Sequence, residues 1–110
     1  MQVKSKIETY LGFCIRSRAI AFGVDETAKL KTGYLLLVDE ALGESSFKEM
    51  NKARERLKCP MYVIEKDILG ELLHRFGVKA VTIKDKNLAS AILSVVESEP
   101  QFKLYSGGSI

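Results

Sequence analysis

Histidine is almost missing from this chain: His74 is the only one in 110 residues. A Ser/His/Asp arrangement therefore has one possible base, with no serine or cysteine elbow beside it, and nucleophilic catalysis is not expected. Cysteine is as scarce. Cys14 and Cys59 lie far apart, each among apolar neighbours, and form no C-x-x-C pair. They read as reduced, buried thiols in a cytoplasmic protein, and with one histidine they are too few to hold zinc. Neither Gly-x-x-x-x-Gly-Lys-Ser/Thr nor Gly-x-Gly-x-x-Gly occurs, so no phosphate cradle for a nucleotide cofactor is expected. No apolar run approaches the roughly 18 residues of a membrane span. The start is not apolar enough for a signal peptide, since Lys4, Lys6 and Glu8 interrupt it. Together these absences predict a non-enzymatic chain with no metal, no cofactor and no membrane segment.

What remains is a composition suited to one domain with a real core, 46% hydrophobic and 28% charged. The net charge of +3 permits an anionic partner without requiring one. Apolar residues alternate between helical and strand spacing along the chain. A helix is expected from Lys4 to Ile15 with Ile7, Leu11, Cys14 and Ile15 on one face. The run Ala19-Ile20-Ala21-Phe22 reads as a short buried strand ended by Gly23, followed by an acidic helix from about Val24 to Lys31 that Gly33 stops. Tyr34 to Val38 is uninterrupted apolar sequence, the pattern of a central strand covered on both faces. Ser45 or Ser46 is the expected cap of a third helix ending at Cys59-Pro60. Met61 to Ile64 then forms a strand, Asp67 opens a helix that Gly77 closes, Ala80 to Ile83 forms a fourth strand, and Asp85 caps a last helix through Val96. The order α-β-α-β-α-β-α-β-α predicts an α/β protein, a three-layer α/β/α sandwich around a mixed four-stranded sheet. One domain is expected over residues 1–97, with 98–110 as a flexible tail.

Chemistry concentrates in Gly23-Val24-Asp25-Glu26-Thr27-Ala28-Lys29. A carboxylate accepts from the N–H edge of guanine, and a lysine one helical turn later donates to its O6. Glycine lets a nucleic-acid backbone come close. The same run also reads as an ordinary helix start, with Asp25 as cap, Glu26 complementing the helix dipole and Lys29 as its i+3 partner. Asp39-Glu40 reads as a strand end.

In its layout from about Tyr10 to Leu93 the chain resembles the ribosomal protein L-seven-Ae and L-thirty-e family of kink-turn RNA-binding proteins. Gly23, Glu26 and Lys29 fall in register with that family's Gly-x-Asn-Glu-x-x-Lys signature, with Asp25 at the asparagine position. Tyr10-Leu11-Gly12-Phe13-Cys14 is similar to the Leu-Leu-Gly-Leu-Ala of the small bacterial members labelled YlxQ-like. Cys59-Pro60-Met61-Tyr62-Val63, followed by Leu69-Gly70, is similar to the family's Pro-x-Tyr/Phe-Val strand and Leu-Gly helix. The resemblance implies a ribosome-associated protein, monomeric when free, that binds structured RNA. It implies an RNA surface made of Gly23, Asp25, Glu26 and Lys29 together with the loop His74-Arg75-Phe76-Gly77-Val78. In that loop Arg75 is suited to phosphate, and Phe76 to stacking on a base or, with Val78, to anchoring the loop in the core. Lys31, with Arg16 and Arg18, is the expected phosphate rim.

Three departures from the family pattern bear on this expectation. Asp25 lacks the donor an asparagine offers and carries negative charge. Ala19 stands where the bacterial relatives have a lysine, and the loop after the fourth helix is shorter and less aliphatic. The alternative is a protein-interaction adaptor on the same fold, using the exposed face of the Phe47 to Leu57 helix.

Overall fold

The computed structural model describes residues 6–105, over which five helices and five strands alternate. They are α1 (Lys6–Arg16), β1 (Ile20–Phe22), α2 (Gly23–Ala28), β2 (Leu35–Asp39), α3 (Glu44–Leu57), β3 (Met61–Ile64), α4 (Ile68–Leu73), β4 (Ala80–Ile83), α5 (Lys86–Val96) and β5 (Phe102–Leu104). The strands lie in the order β1-β4-β2-β3-β5. Only β2 and β3 run parallel; β1–β4, β2–β4 and β3–β5 are antiparallel. The sheet is therefore mixed, with β2 at its centre.

β2 explains why the sequence folds inward here. All five of its residues are buried, and alternation divides its side chains between two cores. Leu35 and Leu37 pack with Ile7, Leu11, Cys14, Leu69, Leu73, Ile92 and Val96, contributed by α1, α4 and α5. Leu36 and Val38 pack with Met50 and Ala53 of α3 and with Met61 and Ala80. Burying each such side chain contributes about 1.5–3 kcal/mol, which is why an uninterrupted apolar strand belongs at the centre.

Four expectations are corrected. The sheet has five strands, not four, because Phe102–Leu104 pairs with β3, with Ile64 opposite Phe102. Phe102 is buried while Lys103 and Leu104 are exposed, so this three-residue edge strand offers too little alternation to announce itself. The strand lies within the segment read as a tail; residues 106–110 of that segment lie outside the described residues, as do Lys4 and Ser5 of the expected first helix. Secondly, α2 ends at Ala28, not Lys31. The Arg56 guanidinium donates to the Thr27 carbonyl at 3.1 Å and to the Leu30 carbonyl at 3.2 Å, satisfying carbonyls at and just beyond the end of the helix. Thirdly, α3 starts at Glu44 after Gly43, and no side chain caps it, so neither serine has that role. Finally, α4 ends at Leu73 because His74 adopts the left-handed conformation (φ 57°), well before Gly77. Asp85 does cap α5, accepting from the Leu88 N–H at 2.8 Å. Cys14 is buried as expected, whereas Cys59 is only half-buried.

Candidate nucleic-acid interface

Antiparallel pairing of β1 with β4 brings the two expected segments together. Phe22, the last residue of β1, lies opposite Val81. Whatever follows β1 therefore emerges beside whatever precedes β4, and those are the start of α2 and the loop of residues 74–79. A contact joins them: the Arg75 guanidinium carbon stands 4.5 Å from the centroid of the Phe22 ring, directly before Gly23. Such a stack is worth about 0.5–1 kcal/mol at an exposed site and holds the guanidinium in place without consuming its N–H donors.

The loop is shaped by its own backbone. The Arg75 N–H donates to the Gly70 carbonyl at 2.9 Å, and that of Val78 to the Arg75 carbonyl at 3.3 Å. A Cβ at Gly70 would lie 3.0 Å from the Arg75 carbonyl oxygen and 3.5 Å from the Phe76 Cα, so the loop rests directly on this glycine. Gly77 turns the chain at φ +89°. The result leaves Phe76 86% exposed, which removes it from the core; Val78 is half-buried against the main core and is the loop's anchor. His74 is drawn the other way, its Nε2 lying 2.7 Å from Glu8 Oε2 on α1.

On α2 the polar residues divide by partner. Gly23 begins the helix at φ +90°, with open space where a Cβ would stand. Asp25 is exposed and does not cap; Phe22 occupies the cap position, and no side chain bonds there. Glu26 Oε2 lies 3.3 Å from Lys29 Nζ, with 59% and 72% of these side chains exposed. An exposed pair of this kind is worth at most about 1 kcal/mol, so both groups can exchange their mutual contact for a ligand. Thr27 does the opposite. It is buried, its hydroxyl donates to the Gly23 carbonyl at 2.9 Å, and it meets the Thr82 hydroxyl at 2.8 Å. With its own proton committed to Gly23, Thr27 accepts from Thr82, and α2 is fastened to β4 beneath the exposed residues.

The three cations of the expected rim stand on different elements. Lys31 is exposed in the connection leading into β2, whose first residue pairs with Ile83 at the other end of β4 from Ala80. Arg18 likewise precedes β1 at the Ile20 end, which pairs with Ile83. Arg16 lies against α1, its guanidinium 4.8 Å from the Phe13 ring centroid. Ala19 is buried in the core at that same far end, so its lack of charge takes nothing from the Gly23 surface.

Sequence reasoning passed over the polar anchor at this end of the sheet. Asp39 is buried, with Oδ1 accepting from the Ala41 N–H at 2.6 Å and Oδ2 from the Asp67 N–H at 2.8 Å. It ties the turn after β2 to the turn before α4, where Asp67 takes a left-handed conformation (φ 70°). A single acidic residue at a strand end gives no signal of this; one backbone partner is two residues away and the other is 28 away. The Phe22–Arg75 stack was similarly hidden, although both residues flank recognised segments. Burial raises both thiols from 9.0 to about 11, with the Asp85 charge adding at Cys14 and Arg54 opposing at Cys59, so neither is an activated nucleophile. Among the described residues no group of three or more His, Cys, Asp or Glu is placed to hold a metal, and no helix is long and apolar enough to cross a membrane.

No family model and no curated protein matches this chain. Its structure is similar to one described as a protein with unknown function from Bacillus halodurans C, with a TM-score of 0.75. The two are 16% identical, and the match covers 86% of this chain and 99% of the other. At that identity the likeness is one of fold, and it leaves function to the site.

Proposed function

We propose that this chain is a non-catalytic RNA-binding protein of the L-seven-Ae and L-thirty-e type, a three-layer α/β/α domain that acts in the cytoplasm on structured RNA and associates with the ribosome. The observation that carries this reading is the Arg75–Phe22 stack. It sets the loop of residues 74–78, with Arg75 and the exposed Phe76, beside the start of α2, the helix that leads into Glu26 and Lys29. Glu26 and Lys29 supply an acceptor and a donor one turn apart, suited to the Watson–Crick and O6 edges of a guanine in a sheared G·A pair. Arg75 supplies a phosphate contact, and Phe76 a stacking face for an unpaired base. Asp25 narrows the choice of neighbouring base, because it accepts and cannot donate.

Titration against a kink-turn RNA and a control with its tandem G·A pairs replaced by Watson–Crick pairs tests the reading. Specific binding lost in the control is the expected result. Glu26→Ala and Lys29→Ala should each cost about 1–3 kcal/mol of that binding with the fold intact. Lys31→Ala, which removes a charge outside the Glu26–Lys29 pair, should leave the discrimination between the two RNAs unchanged. Equal, weak and strongly salt-dependent binding to both RNAs rejects the proposal and returns the question to a protein partner.

A further inference from the structure

A second polar surface begins where the first one ends. Beside Arg75, the side chain of His74 turns away from α2 and, with Glu8, Thr9, Gly12 and Arg16 of α1, lines an open cleft of about 260 Å³. Its donors are held in place. The Arg16 guanidinium lies against the Phe13 ring at 4.8 Å and folds back over Gly12, where a Cβ would stand 3.4 Å from Nη1. Arg16 makes no ion pair among the described residues, so its N–H groups face the cleft uncommitted to any carboxylate. Glu8 is the one acid in the lining, and its carboxylate is turned to the histidine. Its Oε2 is 2.7 Å from His74 Nε2, and only 17% of its side chain is exposed, against 74% for the histidine. Beside that pair the cleft presents the Arg16 guanidinium and the Thr9 hydroxyl, and the exposed Phe13 ring (45%) flanks the guanidinium.

We infer that the cleft between α1 and the end of α4 is a phosphate-binding groove that takes the backbone of a single-stranded RNA segment continuing from the α2 interface. A fixed guanidinium without a carboxylate partner is the group best suited to a phosphodiester, and a flanking aromatic face accepts bases of any sequence. Continuity supports RNA as the source of the phosphate. His74 in the groove and Arg75 on Phe22 are adjacent residues, so the cleft adjoins the loop of the proposed α2 interface. The choice of RNA over a free anion rests on the reading proposed above; the groove itself does not.

The test is a heteronuclear NMR titration of the full chain with a short oligouridylate, with inorganic phosphate as the free-anion comparison. The amide signals of Thr9, Gly12 and His74 should shift saturably with the oligouridylate and respond more weakly to phosphate. Arg16→Gln should weaken that binding about tenfold with spectral dispersion unchanged, as loss of a charged hydrogen bond requires. Lys48→Gln, which removes a charge on α3, should leave it unaltered. Unmoved cleft signals, or equal weakening by both substitutions, overturn the groove. Equal affinity for phosphate and oligouridylate overturns the assignment to RNA. If the cleft fails while kink-turn discrimination persists, only this inference falls. An Arg16-sensitive cleft in a protein blind to tandem G·A pairs upholds the groove and removes the α2 reading instead.

Discussion

Asp39 and Glu26 are carboxylates near the same end of one sheet, and they have opposite fates. Asp39 is buried with each oxygen committed to a backbone N–H, at 2.6 and 2.8 Å. Glu26 stands in solvent with a single 3.3 Å contact to Lys29. The same division recurs one residue away on α2, where Thr27 is buried and saturated while Asp25 and Glu26 are exposed. Groups whose hydrogen bonds are complete inside the protein hold the frame; groups left with spare capacity at its surface are those a ligand can use. Thr27 and Asp39 therefore belong to the scaffold, although they lie beside the proposed interface.

If this division is right, the two sets should separate cleanly in experiment. The largest effect belongs to Asp39. Replacing it with alanine leaves the N–H groups of Ala41 and Asp67 without their acceptor, and urea denaturation should show a loss of about 2–5 kcal/mol. Glu26→Ala should change stability by less than about 0.5 kcal/mol, as expected for an exposed side chain. An Asp39→Ala variant as stable as the parent would break the comparison.

The threonine pair sharpens it. Thr27→Val strands the buried Thr82 hydroxyl and should cost about 1–3 kcal/mol, whereas Thr82→Val leaves Thr27 still donating to Gly23 and should cost less. The double replacement, with neither hydroxyl left to satisfy, should be milder than the two single losses added together; a double-mutant cycle on denaturation midpoints reads this coupling directly. Strict additivity would mean that the 2.8 Å contact carries no energy.

The thiols leave stability near neutral pH untouched and act only in alkali. Cys14 and Cys59 keep their protons to about 11 in the folded protein, against an ordinary 9.0. Below 9 both folded and unfolded chains are protonated and stability is unaffected. As pH rises from 9 towards 11 the unfolded chain loses its thiol protons first, so stability should fall across that window. In Cys14→Ala the slope over this range should be shallower than in the parent, as read by thermal melts at a series of pH values. An unchanged slope would show that burial does not hold the Cys14 proton.

Much of the architecture was readable from residue order alone. Met61–Ile64 and Ala80–Ile83 form the expected strands to the residue, because short apolar runs between turn signals leave few other solutions. Asp85 announces its helix through a side chain that acts within the same turn. Expectations failed where the deciding partner is remote. Arg56 of α3 takes up the Thr27 and Leu30 carbonyls where α2 stops, and backbone hydrogen bonds to β3 make a strand of Phe102–Leu104; α4 instead ends locally, at a left-handed His74 ahead of Gly77.

Local chemistry in the sequence by itself determined the alternation of helices and strands, the buried centre at β2 and the spacing of Glu26 to Lys29, since each depends on periodicity within a few residues. Only the tertiary structure decided which charged groups are spoken for. Asp39 and Glu26, or Arg56 and Arg16, are alike as letters. They differ in whether folding brings a backbone donor or acceptor within about 3 Å, and that depends on segments far away in the chain. Antiparallel pairing of β1 with β4 made Arg75 a neighbour of Phe22, and the packing of α4 on α1 set His74 against Glu8 and opened the groove beside Arg16.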